Sequence, residues 1–398
     1  MDIMKKIKDN LFDKVISGAN LKRAILRSSL GKRGRKDVQE VLANMDKHIA
    51  YIQDMLKQRI YPCRPKKAIR FYDSNSGKER IMIKPDYKYE QIIHHALVQV
   101  MQSIFMKGMY EYSCGSIPNR GCHKGKKYLE KCIRDKNADC RYVLKLDIRH
   151  YYQSVDIELI KQRIRKYIKD EGIIWLFDAI LDSNKAELDG EIVSLGLPVG
   201  YYTSQWLANW FLQDLDHTIK EKLGVKIYVR YLDDMVLMGS NKKQLHRVLE
   251  EIREILKAKH LEVKKNYQVF KFHYVNKSGK NTGRFIDFMG FRFYRNRTTM
   301  RRRIMLKATR KAKRIAKKQH FSWYEACQMV SYIGWFEHTD TRGVYLKYIK
   351  PLVNIQFCKR KISRYMKAKA KEAKNANDNL AQSGKRKPSG GGGQRLIA

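Results

Sequence analysis

A pair of adjacent aspartates interrupts an otherwise apolar stretch of this chain. Between Ile227 and Met238 the only charged residues are Arg230 and the pair Asp233 and Asp234. The strand-like runs on either side of the pair predict a β-hairpin that carries both carboxylates at its tip. Two acids in apolar surroundings are unfavourable unless a cation compensates them, as a divalent metal ion would. A solvent-exposed turn that uses Asp for its turn propensity explains this segment alone equally well.

A second apolar run also ends in an aspartate. Residues Arg141 to Leu146 alternate in the manner of a strand, and Asp147 follows them. If this strand lies beside the predicted hairpin, Asp147 comes next to Asp233 and Asp234. Three carboxylates in one place suit Mg²⁺, and two such ions could activate an attacking 3′-hydroxyl and stabilise a leaving pyrophosphate. Taken alone, Asp147 is better explained as a helix N-cap.

The segment 195–205 lies between these two motifs in the chain. Its glycines and its proline predict a turn whose backbone approaches a ligand closely, and Ser204 is placed to start the next helix. By itself such a segment is most simply an ordinary loop.

The net charge of the chain points to a polyanionic partner. The 398 residues include 83 Lys and Arg against 40 Asp and Glu, a net charge of +43, and residues 291–398 alone carry +23. Because so large a charge repels itself, we expect a nucleic acid as partner, with an anionic membrane surface as the alternative. The 43% of hydrophobic residues excludes wholesale disorder.

Several other classes of protein are excluded by composition. No stretch approaches 18 consecutive apolar residues, and the N-terminus lacks the apolar core of a secretory signal, so we expect no membrane-spanning helix and no secretory signal. The seven cysteines are odd in number and form no CxxC pair, which argues against disulfide scaffolds and zinc sites. We therefore expect reduced thiols in a cytoplasmic protein.

Four segments of the chain share their order with a known enzyme family. The chain reads LDIRHYYQSVD at 146–156, LGLPVGYYTSQ at 195–205, RYLDD at 230–234 and FMGFRFY at 288–294. In this order and spacing the sequence resembles the reverse transcriptases over about residues 60 to 350. The resemblance implies an RNA-directed DNA polymerase.

The resemblance also implies roles for the residues around the aspartates. Asp147, Asp233 and Asp234 would be the catalytic residues that hold two Mg²⁺ ions, with Mn²⁺ as a substitute, and the Ile148 carbonyl could add an oxygen. Tyr152 stands where the family keeps an aromatic gate that clashes with a ribose 2′-hydroxyl, so DNA precursors are favoured. A tyrosine of the core is the alternative for Tyr152.

Residues elsewhere are candidates for binding the nucleotide. Arg70 and Arg80 flank a predicted hairpin turn and could bind the triphosphate, or they could be solvated hairpin charges. Val199, Gly200 and Gln205 of the loop would lie near the nascent base pair. Lys264 or Lys265 could protonate the leaving pyrophosphate, although a solvated charge is the simpler explanation.

The loop narrows the resemblance to one subfamily. Many reverse transcriptases have Gln and Pro where this chain has Val199 and Gln205, and the present pattern is similar to that of diversity-generating retroelements. There an aliphatic residue at this position, together with an arginine matching Arg80, is associated with errors opposite template adenines. Because Val cannot hydrogen-bond near the nascent pair, less free energy separates right from wrong pairs.

The segment from Arg292 to Lys318 holds 13 basic residues and no acid. Its last two thirds predict a helix with a basic stripe, as expected of a thumb helix that contacts the phosphates of template and primer. A solvated surface helix is the alternative. The candidate nucleic-acid contacts in this segment are Arg301, Arg302, Arg303, Lys307, Arg310, Lys311 and Arg314.

These observations predict an α+β fold, a right-hand polymerase with fingers, an antiparallel palm sheet and a helical thumb. The predicted divisions are a basic helical extension at 1–60, fingers and palm at 61–295, the thumb at 296–365 and a disordered basic tail at 366–398. The expected partners are template RNA, a cDNA or RNA primer, dNTPs and a small basic accessory protein. The alternatives are an antiphage-defence or group II intron-like reverse transcriptase, an RNA-dependent RNA polymerase, which Tyr152 disfavours, and a non-catalytic RNA-binding protein on the same fold.

Overall fold

The structure is a computed structural model that describes residues 10–62, 66, 68–73, 78–135, 138–194, 196–272 and 274–383. The chain divides into two compact units, residues 1–301 and 302–398. The five sheets of the described residues are antiparallel and are interspersed with helices, which confirms the predicted mixture of helix and antiparallel sheet. The division into extension, fingers and palm, thumb and tail stays a prediction.

The described part of the first unit begins with four helices, in the region that the sequence predicts to be helical. The helices described in this unit are α1 (Leu11–Ile16), α2 (Gly18–Ser28), α3 (Lys36–Ala43), α4 (Met45–Lys57), α5 (Ile92–Met106), α6 (Gly121–Arg134), α7 (Tyr151–Ser154), α8 (Ile157–Tyr167), α9 (Glu171–Asp182), α10 (Tyr202–Phe211), α11 (Gln213–His217) and α12 (Lys242–Lys257). Single π-helical turns precede α5 at Tyr87–Gln91 and follow α11 at Thr218–Lys222.

The strands of this unit form short hairpins around one larger sheet. They are β1 (Ala68–Asp73), β2 (Lys78–Ile83), β3 (Tyr142–Asp147), β4 (Lys185–Leu188), β5 (Glu191–Ser194), β6 (Ile227–Tyr231), β7 (Asp234–Gly239), β8 (Gln268–Lys271), β9 (Tyr274–Val275), β10 (Asn281–Thr282), β11 (Ile286–Phe288), β12 (Phe291–Phe293) and β13 (Thr298–Met300). The four-stranded sheet has the order β6-β7-β3-β8, and β11, β12 and β13 form a three-stranded sheet.

The four-stranded sheet contains both of the aspartate motifs. Strands β6 and β7 form the predicted hairpin, and β3 pairs with β7 so that Asp147 lies opposite Asp234. The apolar residues of β3 and β7, such as Leu144 and Val236, are fully buried. Helix α12 packs against β3, β7 and β8, and its buried residues are spaced as an amphipathic helix requires. The hydrophobic effect therefore fixes the register that brings the carboxylates together.

An ion pair without exposure to solvent lies beneath the hairpin. The guanidinium of Arg230 donates to both carboxylate oxygens of Asp216, at 2.7 and 2.5 Å, and both side chains have 0% exposure. The hydroxyl of Tyr228 donates to the same carboxylate at 2.6 Å. Arg230 also donates to the carbonyl of Leu232 at 3.1 Å, in the turn before Asp233. The pair thus connects the turn to α11.

The second unit is helical where it is described. Its helices are α13 (Arg302–Ala316), α14 (Trp323–Glu337), α15 (Arg342–Tyr348) and α16 (Ile355–Ser383). Ser322 and Glu325 form a capping box that starts α14, since each side chain accepts a hydrogen bond from the backbone of the other. Ala308, Ala312 and Ile315 of α13 are buried, and α13 packs against α14.

The prediction that the tail is disordered from residue 366 is wrong for residues 366–383. These residues continue α16 to Ser383, because their Lys and Ala residues favour helix strongly. The glycine-rich end of the predicted tail lies outside the described residues. No helix in the described part of the chain is long and apolar enough to span a membrane.

Removing one partner of the buried ion pair should destabilise the protein. We expect Asp216→Asn to lower the free energy of unfolding by about 3–5 kcal/mol, because the charge of Arg230 stays buried without its counterion. Urea denaturation measures the change. Glu250→Gln, which removes the exposed partner of Arg253, serves as the control and should cost less than about 1 kcal/mol. An equally small loss for Asp216→Asn would contradict the role assigned to the pair.

Candidate active site

Three carboxylates meet at one end of the four-stranded sheet. Asp147 ends β3, Asp234 begins β7 opposite it, and Asp233 stands in the intervening turn of the hairpin. The N–H of Ile148 donates to the carbonyl of Asp233 at 3.3 Å, which ties the end of β3 to the turn. The structure therefore brings the three predicted aspartates together, with Ile148 next to them.

The turn itself is held in a strained conformation. Leu232 has a φ of +58°, in the left-handed region that a branched side chain rarely adopts. Besides the contact with Arg230, Gly115 lies so close that a Cβ on it would come within 2.8 Å of the Leu232 nitrogen. The amide of Asn209 on α10 donates to the Gly115 carbonyl at 2.8 Å. Several buried contacts thus fix the position of Asp233.

Burial, together with neighbouring carboxylates, raises the pKa of two of the aspartates. Burial raises the pKa of Asp233 to about 7, and the adjacent carboxylate of Asp147 and a hydrogen bond to it add to the rise. Burial also raises the pKa of Asp234 to about 6, although Lys145 opposes the rise. The two groups are therefore partly protonated near neutral pH when no metal cation is bound.

Two lysines provide positive charge at this cluster. The ammonium of Lys264 contacts Oδ2 of Asp147, and that of Lys145 lies 4.0 Å from Oδ2 of Asp234. Lys145 also donates to the carbonyl of Asp287 at 2.5 Å. Lys264, which the sequence suggests more simply as a solvated charge, is instead a direct partner of a catalytic candidate.

The carboxylates have the chemistry of a site for a hard cation. Oδ1 of Asp234 is buried and has no hydrogen-bond partner in the described part of the chain, so one strong acceptor is left for a ligand. With the side chains as they stand, no three Asp, Glu, His or Cys residues among those described converge to enclose a metal ion. At Asp147 one carboxylate oxygen, Oδ2, is paired with the ammonium of Lys264.

The glycine-containing loop is attached to two neighbours of the site. The N–H of Leu197 donates to the carbonyl of Tyr152 at 2.8 Å, and the N–H of Ile83 donates to that of Val199 at 3.2 Å. Gly200 has a φ of +122°, and a Cβ on it would lie 2.3 Å from the Ile83 carbonyl oxygen, so only glycine fits there. Gln205 lies in α10, where its carbonyl accepts from Asn209 at 2.9 Å.

The two arginines that are predicted to bind the triphosphate lie on the β1–β2 hairpin. Arg80 lies in β2, opposite Phe71 of β1. Arg70 is exposed on β1, and its guanidinium lies 2.5 Å from Asp189 of the turn between β4 and β5. The side chain of Arg70 is therefore already paired with a carboxylate in this structure.

A known family matches this arrangement of motifs. The model of the reverse transcriptase (RNA-dependent DNA polymerase) family matches residues 64–293, more than half of the chain and all of the elements just described. The chain belongs to the reverse transcriptase family. This membership implies a polymerase fold.

Individual relatives of this reverse transcriptase are distant. Protein YkfC of Escherichia coli is 24% identical over 294 residues, which cover 64% of this chain and 74% of that protein. The putative COX1/OXI3 intron 2 protein of Saccharomyces cerevisiae is 25% identical over 137 residues, 33% of this chain and only 15% of that protein. The structure of apo telomerase from Candida tropicalis, truncated from the C-terminal domain, has a TM-score of 0.44 and 13% identity, covering 61% of this chain and 57% of that chain.

Some residues of the predicted basic stripe of this reverse transcriptase are paired with acids, and others are exposed. Arg301 is in the first unit and pairs with Asp287 at 2.5 Å. Lys311 of α13 and Lys318, which follows that helix, both pair with Glu325 of α14, at 3.1 and 2.8 Å. The exposed residues of the predicted set on α13 are Arg302, Arg303, Arg310 and Arg314, while Lys307 is half-buried.

The residues that support the carboxylates were not predicted from the sequence. These residues are Arg230, Asp216 and Lys145, and each contacts the hairpin or its acids. One signal was present: an arginine in the middle of an apolar strand requires a buried counterion. The identity of that counterion, 14 residues earlier in the chain, follows only from the packing of α11.

The raised pKa of Asp233 should make the stability of the folded protein depend on pH. Because the folded protein holds this proton more tightly than the unfolded chain, the stability of the wild type falls as pH rises from about 4 to 7. In EDTA at pH 8 we expect Asp233→Asn to be more stable than wild type by up to about 4 kcal/mol, and this gain should vanish near pH 4. Denaturation across pH measures it. Asp182→Asn, at an exposed ion pair, is the control, and a gain independent of pH would refute the assignment.

Proposed function

We propose that this protein is an RNA-directed DNA polymerase that extends a primer with dNTPs on a retroelement RNA template. The observation that carries the proposal is the meeting of Asp147, Asp233 and Asp234 at the end of the four-stranded sheet in a chain of this family. Fingers, palm and thumb are then the β1–β2 region, the four-stranded sheet and the helices α13 to α16.

The three carboxylates are the proposed ligands of two divalent ions, with the Ile148 carbonyl as a further oxygen donor. Mg²⁺, or Mn²⁺ as a substitute, would supply Lewis-acid stabilisation of the charge that develops on the primer oxygen and the pyrophosphate. The unused Oδ1 of Asp234 supports this role. In the absence of such ions Lys264 and Lys145 neutralise the carboxylates and keep the folded site from repelling itself.

The neighbouring residues would select and orient the nucleotide. Tyr152 is half-buried and its backbone is tied to Leu197, which supports the proposal that its ring excludes a ribose 2′-hydroxyl. The hairpin that carries Arg70 and Arg80 is joined to the Val199–Gly200 loop through Ile83. To bind a triphosphate, Arg70 must exchange Asp189 for the phosphate. This exchange costs little free energy, because the ion pair with Asp189 is exposed.

Nucleic acid and a small protein are the proposed macromolecular partners of this chain. The exposed arginines Arg302, Arg303, Arg310 and Arg314 are the proposed phosphate contacts of template and primer, and Lys307 and Lys311 lie beside them. A small basic accessory protein would have to share RNA with this chain, since both would be positively charged. The expectation of a cytoplasmic protein stays part of the proposal.

An incorporation assay tests the polymerase. On an RNA template with an annealed primer, we expect Mg²⁺-dependent incorporation of dNTPs and poor use of NTPs. Asp233→Asn should lower the rate on the order of 100-fold or more, because the developing charge loses its stabilisation. Asp182→Asn is the matched control and should keep the wild-type rate. Tyr152→Ala should raise the use of NTPs relative to dNTPs, and the binding-only alternative is favoured if wild type incorporates neither.

We further propose that the polymerase serves a diversity-generating retroelement and makes errors mainly opposite template adenines. Val199 is half-buried in a loop that is hydrogen-bonded to β2, so its aliphatic side chain is held in place without a hydrogen-bonding group. Less free energy then separates right from wrong base pairs.

Sequencing of cDNA tests this subtype. We expect wild-type errors to cluster opposite adenines, and Val199→Gln to reduce them several-fold because the amide restores a hydrogen-bonding group. Val199→Ile is the matched control and should keep the wild-type spectrum. Errors spread evenly over all four template bases would rule out the subtype and leave the polymerase itself intact.

A further inference from the structure

A basic pocket lies on α6, outside the group of residues that the proposed reaction uses. It is an open cavity of about 490 Å³, within the range of roughly 300–1,000 Å³ that is usual for ligand sites. The lining residues that matter here are Tyr112, Arg120, Lys124, Lys127, Tyr128 and Lys131. No acidic residue lines it.

Helical geometry places the lysines of this pocket in a row. Lys124, Lys127 and Lys131 are separated by three and four positions, which puts them on one face of α6 and spans about 10 Å along its axis. The opposite face packs into the protein, since Leu129 and Ile133 are buried. We call the three lysines the α6 lysine face.

The charge of this face is only slightly compensated. Lys124 lies 3.1 Å from Glu111, whose side chain is 62% exposed. Lys127 and Lys131 have no carboxylate within ion-pair distance in the described part of the chain, and both are exposed. The nearby Glu130 pairs with Lys126 on another face of the helix. An external polyanion is the partner that would compensate this charge.

A pair of tyrosines adjoins the lysine face. The rings of Tyr112 and Tyr128 are stacked with centroids 3.6 Å apart, and the ammonium of Lys124 lies 5.7 Å from the Tyr112 ring centre. The hydroxyl of Tyr128 donates to the Lys226 carbonyl at 3.3 Å, and Tyr110 packs edge-on against Tyr112. The pair is therefore anchored, and a fixed aromatic surface beside cations is what unpaired bases stack upon.

The α6 lysine face lies away from the catalytic carboxylates. The bond of Tyr128 to Lys226 lies just before β6, whereas Asp233 follows the other end of that strand. At about 3.3 Å per strand residue these two points are roughly 20 Å apart. The Tyr112 end of the pocket lies nearer to the carboxylates, since the N–H of Arg230 donates to the Tyr112 carbonyl at 3.1 Å.

From these observations we infer that the α6 pocket is a second RNA-binding site, which holds an unpaired RNA segment outside the catalytic centre. The lysine face contacts its phosphates and the tyrosine pair contacts its bases. An acidic peptide would use the lysines but would gain nothing from the tyrosines. The inference does not require polymerase activity, because it concerns binding alone.

Fluorescence anisotropy with a labelled 20-nucleotide oligo(U), in EDTA and without dNTPs, tests the site. We expect Lys127→Glu with Lys131→Glu to weaken binding at least about tenfold, and the loss of two phosphate contacts to reduce the slope of log K against log salt by about 1.4. The matched control is Lys47→Glu with Lys57→Glu on α4, which makes the same charge change at exposed lysines and should alter affinity less than about twofold. Equal effects of the two double variants would overturn the inference.

Two further measurements separate RNA from other polyanions and locate the contact. Tyr112→Phe should keep the affinity for oligo(U), whereas Tyr112→Leu should lower it about fivefold or more. The reason is that stacking on an aromatic ring contributes about 1–3 kcal/mol per base. Photocrosslinking of 4-thiouridine RNA should label Tyr112 or α6. An absence of this label, or a poly-glutamate probe that binds as tightly and is equally sensitive to Tyr112→Leu, would refute an RNA site. Thermal melting confirms that each variant is folded.

Discussion

The buried ion pair of Arg230 and Asp216 supports the end of the sheet where the acids meet. Arg230 pairs with Asp216 on one side and with the Leu232 carbonyl on the other, so one guanidinium joins α11 to the turn before Asp233. A charge with no exposure tolerates few alternative positions, because every displacement leaves it without its counterion. The turn can therefore keep a strained residue and two neighbouring acids without rearranging.

The catalytic candidates form a small acidic centre within a strongly basic chain, and nearby lysines compensate its charge. Burial raises the pKa values of Asp233 and Asp234, and the charge of Asp147 adds to the rise, while Lys145 and Lys264 supply positive charge within reach. The site is thereby neutralised in the folded protein and still presents oxygen atoms for a harder cation. The excess of +43 is carried by the rest of the chain, and a charge of this size favours a polyanionic partner.

Much of this arrangement could be predicted from sequence because it follows from local periodicity. The hairpin of β6 and β7, the strand that ends at Asp147 and the helices before residue 60 all have clear apolar patterns. The ion-pair partners of single charged side chains could not be predicted in this way. Arg70 is paired with Asp189 and Lys311 with Glu325, since the partners of long side chains depend on contacts between distant segments. The helix that continues to Ser383 was missed because a Lys- and Ala-rich composition fits both a disordered tail and a solvated helix.

The sequence by itself determined that two aspartate motifs exist, that each ends an apolar strand and that their order matches the reverse transcriptases. Only the tertiary structure decided that Asp147 stands opposite Asp234, which lysines accompany them and which residue buries its charge beneath the turn. The physical reason is that periodicity along a chain specifies which face of a strand is buried, whereas the strand that pairs with it is selected by packing across the whole core. The pocket on α6 has the same origin, because Tyr112 and Tyr128 stack only after the chain has folded.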